Sequence, residues 1–384
     1  MEQVPVRPLE GVRVIALEQA VAAPFCSRQL ADLGADVIKI ERPGEGDLAR
    51  GYDGALNGVS AYFAWLNRGK RSVTLDLKTP EGLEVLGRLL AEADVFVHNL
   101  LPGAVDRLGF GWETVRERFP RLIWVSISGY GLGGPYTQKK AYDMLIQAES
   151  GMVSVTGTPD QAAKVGVSVA DIASGLYGHA SVLAALIQRG RTGRGERIDI
   201  SMLESLTEWM TPPMYTQIGQ GRTPGRAGLR HNMIVPYGAY ACQDGQVMFA
   251  VQNEREWKNF CAGVLGQPEL ETNPHYSSNE LRLTHREALE TRIEAAFASL
   301  SRAEVVGRLD AASIANGSVN TVTEVIAHPQ LEARGRWTEV QTPAGPVPAL
   351  LPPHNLGSVS PRMGPVPALG EHTDEVLREL GFQS

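Results

Sequence analysis

Cysteine is scarce in this chain. Cys26, Cys242 and Cys261 lie far apart, with no CxxC or CxxH spacing. That argues against a zinc motif or a disulfide framework and fits a reducing compartment. Positive charge is also short: the formal net charge is −7. A surface for nucleic acid or an anionic membrane is therefore not expected. No run of about twenty apolar residues occurs, so no membrane span is expected. Residues 1–8 lack the apolar stretch of a signal peptide, and a cytoplasmic protein is expected. HExxH, GxSxG and the phosphate P-loop are all missing. The histidines are scattered, with His98 at a strand end and His372 in a terminal helix. Neither a metal site nor a Ser-His-Asp site can be assembled from such signals.

What is present is a run of short apolar strands alternating with helical segments. Residues 14–17, 34–41, 72–77, 94–98, 122–128 and 196–201 read as strands. Residues 23–33 and 79–92 read as helices, the second opened by Thr79-Pro80-Glu81. Shorter helices are expected at 141–151 and from about Met202. This order predicts an open parallel α/β sheet, Rossmann-like, with helices on both faces. The stretch GYGLGG (129–134) matches GxGxxG, but Pro135 and a polar run follow it, not a helix. It is read as a loop beneath a ligand, not as a dinucleotide fingerprint. The 384 residues divide on composition. Residues 1–215 are expected to form the large α/β domain, and the Gly/Arg-rich 216–235 a linker or mobile loop. Residues 236–325 are expected to form a smaller α+β domain, with a hairpin turning at Asp244-Gly245 and helices at 254–265 and 284–313. The proline-rich 326–384 should pack back on the large domain.

The stretch GVSVADIASGLY (166–177) organises the rest. A β-branched run, read as entering from the core, meets one acid, Asp171. A helix-like run follows, with apolar residues at 172, 176, 180, 183 and 187. Asp171 suits two roles here. It can cap the helix, or it can serve as a nucleophile on a small-residue floor. Basic residues mark strand ends: Arg42, Lys78 and Arg107. Ligands of open α/β sheets lie beyond the carboxyl ends of strands, and fixed cations there suit phosphates.

Several stretches, in order, resemble the family III CoA-transferases, also called the formyl-CoA transferase or CaiB–BaiF family. They are LEGVRV (9–14), LGADVIKIER (33–42), NRGKRSVTLDLK (67–78), NLLPGAVDRLG (99–109), SGYG (128–131), AYD (141–143), RTGRGERIDISM (191–202) and LGEHTDEVL (369–377). The resemblance implies Asp171 as nucleophile. It implies contacts to coenzyme A or acyl-CoA, bound as substrate and not as a permanent cofactor, at Arg42, Leu75, Lys78, Asn99, Leu101, Arg107, Lys140, Tyr142 and Asp143. It further implies a large domain built from both chain ends and a ring-like subunit interlocked in a homodimer. Related racemases carry a histidine where this chain has Tyr142. The oxalate-using enzyme has a glycine run where this chain has GRAGLRH (225–231), and a glutamine where this chain has Val21.

The expected reaction is exchange of CoA between an acyl-CoA and a free carboxylic acid. It would run through an acyl-aspartyl anhydride and an aspartyl-CoA thioester, without ATP or metal. Oxyanion donors are sought near 129–134 or in the Gly/Arg loop. Arg226, Arg230 and His231, with Val21, are the candidate acceptor contacts. They point to a short dicarboxylate of the succinate, malate, itaconate or mesaconate kind. The alternatives are an acyl-CoA racemase, weakened by Tyr142, and a non-catalytic CoA-binding or nicotinamide-binding protein.

Overall fold

The computed structural model describes residues 6–382. Residues 1–5, part of the stretch read for a signal peptide, lie outside them. The chain divides into two compact units. Of the described residues, the first holds 6–152, 164–212 and 332–382, the second 153–163 and 213–331.

Six strands form the sheet of the first unit: β1 (Arg13–Leu17), β2 (Asp36–Glu41), β3 (Arg71–Thr74), β4 (Val95–His98), β5 (Ile123–Ser128) and β6 (Arg197–Ser201). Their order is β3-β2-β1-β4-β5-β6, and every pairing is parallel. β1, β4 and β5 are buried almost throughout, so they read as continuous apolar runs and not as alternation. One face packs Val14, Val37, Val97 and Val125 with Cys26, Leu30 and Val182. The other packs Ile15, Ile38, Phe96 and Trp124 with Leu86, Leu89 and Val376.

Helix Pro80–Ala91 starts as its sequence predicts. The Thr79 hydroxyl accepts the Gly82 N–H, and Pro80 fills a first turn that needs no donor. The chain end closes on this unit. Thr74 N–H donates to Thr373 Oγ1 at 3.0 Å, and Arg71 pairs with Glu375 and Glu379.

Helix Val169–Thr192 is long and apolar enough to cross a membrane by length and composition alone. Within its unit it is a core helix, with Ala170, Ala173, Gly175, Gly178 and Val182 buried. It crosses helix Ala22–Asp32 closely. A Cβ at Gly175 would lie 2.7 Å from the Ala22 carbonyl oxygen, so only glycine allows this approach.

The second unit carries an antiparallel sheet of Tyr237–Cys242, Gly245–Ala250 and Ala315–Ser318. Cys242 pairs with Gly245, so the hairpin turns at Gln243-Asp244, one residue earlier than the expected Asp244-Gly245. Trp257, Phe249, Phe260 and Phe297 fill its core. Residues 211–220 are helical, where the composition predicts a linker from 216 onward. Pro212 and Pro213 lie in the first turn, where proline is tolerated.

Candidate active site

The crossovers of this sheet reverse direction between β1 and β4, the place where open α/β sheets leave a crevice at their carboxyl edge. A cavity of about 820 Å³ lies there, lined by Gln19, Val21, Asn99, Tyr52, Asp143 and Asp171 among others. Its floor is tied across the two strands. Gln19 N–H donates to Asn99 Oδ1 at 2.9 Å, and Asn99 Nδ2 donates to the Gln19 carbonyl at 2.8 Å. Ala20 takes a left-handed φ of 62°, and its N–H is held by Asp47 Oδ1 at 2.9 Å.

Beneath this turn lies a closed set of charges. Lys39 pairs with Asp47 at 2.7 Å and Glu18 at 3.3 Å, and Lys70 pairs with Glu18 at 2.7 Å. All four side chains are 0% exposed, two of each sign. Burial opposes the charges, but the lysines hold Glu18 and Asp47 below the usual carboxylate range. Burial also opposes the Lys39 charge, but Glu18 and Asp47 outweigh it and hold its pKa up. Lys70, with Glu18 as its one carboxylate partner here, falls to about 8 through burial.

Asp171 does not cap its helix. The helix begins at Val169, so Asp171 stands in its first turn. The Ala170 N–H is capped from elsewhere, by Asp143 Oδ1 at 2.7 Å. The segment before it does not enter from the core as expected, since Val167 is 58% exposed. Asp171 is thus left facing the cavity. Burial and the neighbouring Asp143 carboxylate push its pKa up to about 7, opposed by the Ala22 N–H. Ala22 begins helix Ala22–Asp32, whose N-terminal partial positive charge faces the same way. In the 129–134 loop, Gly131, Leu132 and Gly133 N–H groups are held by Ser128, Asp199 and Thr137 side chains. No helix follows that loop until Asp143–Glu149, in keeping with its reading as a loop.

The cavity brings together Val21, Asn99, Leu101, Arg107, Lys140, Tyr142, Asp143 and Asp171. Arg107 and Lys140 are exposed and have no carboxylate partner among the described residues, whereas Lys139 pairs with Glu149. Arg42, Leu75 and Lys78 line an adjoining cavity of about 380 Å³ that shares Gln19 and Leu100 with the first. Arg42 is paired with Glu45 at 2.6 Å on the surface.

Arg226, Arg230 and His231 lie in the second unit. Arg226 donates to the Thr158 and Pro159 carbonyls. Arg230 pairs with Glu290 and Glu294 and stacks its guanidinium on Tyr240. His231 stacks on Tyr237.

Sequence reasoning did not single out Gln19, Tyr52, Tyr62, Met144 or Met202, which also line the Asp171 cavity. The aromatic density of residues 52–65 was the available signal for the tyrosines. His98 is buried against Trp124, and burial pushes it down to about 3, so it stays neutral. No cluster of metal-ligating side chains occurs among the described residues.

A parallel sheet of this order, with a carboxylate at its switch-point cavity, defines a doubly wound α/β ligand-binding protein. The chain belongs to CoA-transferase family III, whose model matches residues 9–373. It is 35% identical to the succinate–glutarate CoA-transferase of Agrobacterium fabrum, over 97% of this chain and 96% of that one. It is 34% identical to a formyl-CoA:oxalate CoA-transferase of Escherichia coli, over 98% and 96%. A CaiB/BaiF family protein from Brucella suis is 35% identical, with a TM-score of 0.87 over 98% of this chain and 100% of that structure. The chain is therefore a CoA-transferase that works on CoA thioesters and carboxylic acids.

Proposed function

We propose that Asp171 is the nucleophile and that the acceptor is a short dicarboxylic acid. The single observation behind the mechanism is a cavity-facing carboxylate, relieved of capping by Asp143 and kept poorly solvated. Poor solvation makes a carboxylate more reactive at carbon. One Asp171 oxygen attacks the thioester carbonyl carbon, the C–S bond breaks, and CoA leaves as thiolate. The thiolate then attacks the Asp171 carbonyl of the anhydride and expels the donor carboxylate. The acceptor carboxylate attacks this aspartyl thioester, and the same two steps run in reverse. Ala22 N–H, which bonds the Asp171 carboxylate, is placed to hold the oxyanion that forms on the Asp171 carbonyl when the thiolate attacks it. Incubation with acyl-CoA and hydroxylamine should leave a hydroxamate on Asp171; its absence would remove this mechanism.

Lys78, Arg107 and Lys140 are proposed to take the CoA phosphates, with Arg42 at the adenosine end. Arg107→Ala should raise KM for acyl-CoA about tenfold or more, the equivalent of one charge-assisted hydrogen bond. Arg42→Ala should do less, because Glu45 already shares its charge. Unchanged KM in both variants would rule out the phosphate site.

The dicarboxylate assignment draws on the relatives' names and on the Gly/Arg segment. Within the second unit Arg230 is already neutralised by two glutamates. Succinate should react at least about tenfold faster than butyrate. Equal rates would leave a CoA-transferase without dicarboxylate preference.

The functional unit is proposed as a cytoplasmic homodimer. Helix Thr211–Gln220 exposes Met214, Tyr215 and Ile218, an apolar row suited to a second copy. Sedimentation should give twice the chain mass; an active monomer would contradict this.

A further inference from the structure

Asp171 follows a stretch with little to hold it. Residues 165–168 belong to no strand or helix, and Val167 is largely exposed. Ser168, the residue before the helix, makes no side-chain cap. What fastens this stretch comes from another helix, Asp143–Glu149. Gln147, itself 0% exposed, accepts the Val165 N–H at 2.8 Å through Oε1. Its Nε2 donates to Asp143 Oδ2 at 2.7 Å, which leaves Oδ1 to take the Ala170 N–H at 2.7 Å. One carboxylate and one amide thus pin both ends of the approach to Asp171.

We propose that Asp143 is a positioning residue for the reaction at Asp171: its carboxylate, held by Gln147, fixes the first helical turn and hence the direction of the nucleophile. The inference rests on the reading of Asp171 as nucleophile. Attack at a carbonyl carbon tolerates little misdirection, so a loosened turn should cost rate more than binding. The bond is also charged. A carboxylate at a helix N-terminus binds more strongly than a neutral acceptor. The same negative charge lies beside Asp171 and disfavours its ionisation. The other titratable groups around Asp171 are Tyr52, Tyr62 and Tyr142, with Arg107, Lys140 and the Glu149-paired Lys139 in the cavity wall.

The test is Asp143→Asn, in which the side chain keeps its shape. The oxygen of the new amide can still accept from Ala170, but its nitrogen then faces the Gln147 Nε2, donor against donor. Single-turnover acylation of Asp171 at saturating acyl-CoA should fall at least about tenfold, with KM for acyl-CoA changed little. The acid limb of kcat/KM should move to lower pH by about half a unit or more, because a like charge has gone. Adding Gln147→Glu restores an acceptor opposite that nitrogen, so D143N/Q147E should recover most of the acylation rate, and because the charge returns one side chain further from Asp171 its acid limb should lie between those of D143N and the wild type. This double variant also carries the test if D143N alone does not fold. Acylation at the wild-type rate with only a raised KM would make Asp143 a CoA contact and overturn the proposal. An acid limb that stays in place would overturn it too. Failure of the wild type to yield an Asp171 hydroxamate would instead strike the nucleophile assignment on which it rests.

Discussion

Asp171→Asn is expected to abolish CoA transfer and, at pH 8, to make the protein more stable. The loss of activity follows from removing the attacking oxygen; a fall of at least about 10³-fold in kcat is expected for a covalent nucleophile. The gain in stability follows from proton linkage. Asp171 binds its proton more tightly folded than unfolded, with a pKa raised from 3.8 to about 7, first by burial and then by Asp143. Folding therefore takes up a proton between those two values. Stability falls as pH rises through that window and stays reduced above it. Asparagine carries no such cost. The gain above pH 7 should be on the order of 1–3 kcal/mol, after allowing for the cavity's access to water. Below about pH 4, where both folded and unfolded Asp171 are protonated, it should vanish. Denaturant titrations of both proteins at pH 4 and pH 8, beside the transfer assay, decide the matter. An inactive variant with no pH-dependent gain would mean that Asp171 is not held against ionisation. An active variant would end its role as nucleophile.

The sheet was legible because parallel strands buried on both faces leave continuous apolar runs, and each of the six was found within a few residues of its place. Helix starts were legible where the cap is local. Thr79 caps the next helix from one residue away, and the sequence carries that signal directly. The start of the Asp171 helix was misread for the opposite reason. Its cap, Asp143, is 27 residues back on another helix, so spacing made Asp171 look like the capping residue. The β-branched run from Gly166 read as a segment entering from the core, yet a Gln147 side-chain bond holds its start and Val167 is largely exposed.

Charges were the least legible part. Arg226 and Arg230 stood out beside glycines, and a charge with no neighbour in sequence reads as free. Arg230 finds its partners at Glu290 and Glu294, some sixty residues on. Conversely, Lys39 sits within an apolar strand and was not singled out, while its charge is wholly buried. Its partners, Glu18 and Asp47, come from two other segments, and no local pattern announces them. The cavity-lining Gln19 was missed in the same way. Its importance lies in its backbone, which Asn99 clamps from across the switch point.

Lys39→Met should therefore be among the most damaging substitutions outside the cavity itself. Methionine matches the lysine stem in volume, so the loss is one of charge and not of packing. It leaves Asp47 buried without its ion-pair partner and Glu18 with Lys70 alone. Breaking a buried pair from one side costs about 3–5 kcal/mol, since the remaining charge stays desolvated. Asp47 then favours its protonated form, which weakens its hold on Ala20 and on the turn that leads to Ala22. Activity should fall together with stability, because the Ala22 N–H borders Asp171. The wild-type network carries its own pH signature. Glu18, Asp47 and Glu41 are all held below their ordinary pKa despite burial. Their contribution is complete above the usual carboxylate range and is lost as pH falls through the depressed folded values. In Lys39→Met that loss should begin at higher pH. Adding Asp47→Asn restores the balance of charge and keeps an oxygen for the Ala20 and Ala49 N–H groups. K39M/D47N should thus be more stable than K39M, although it carries one more substitution in the core. Urea midpoints of the two variants at pH 7 separate the possibilities: if the double variant is no more stable than the single one, charge balance is not what the buried network supplies.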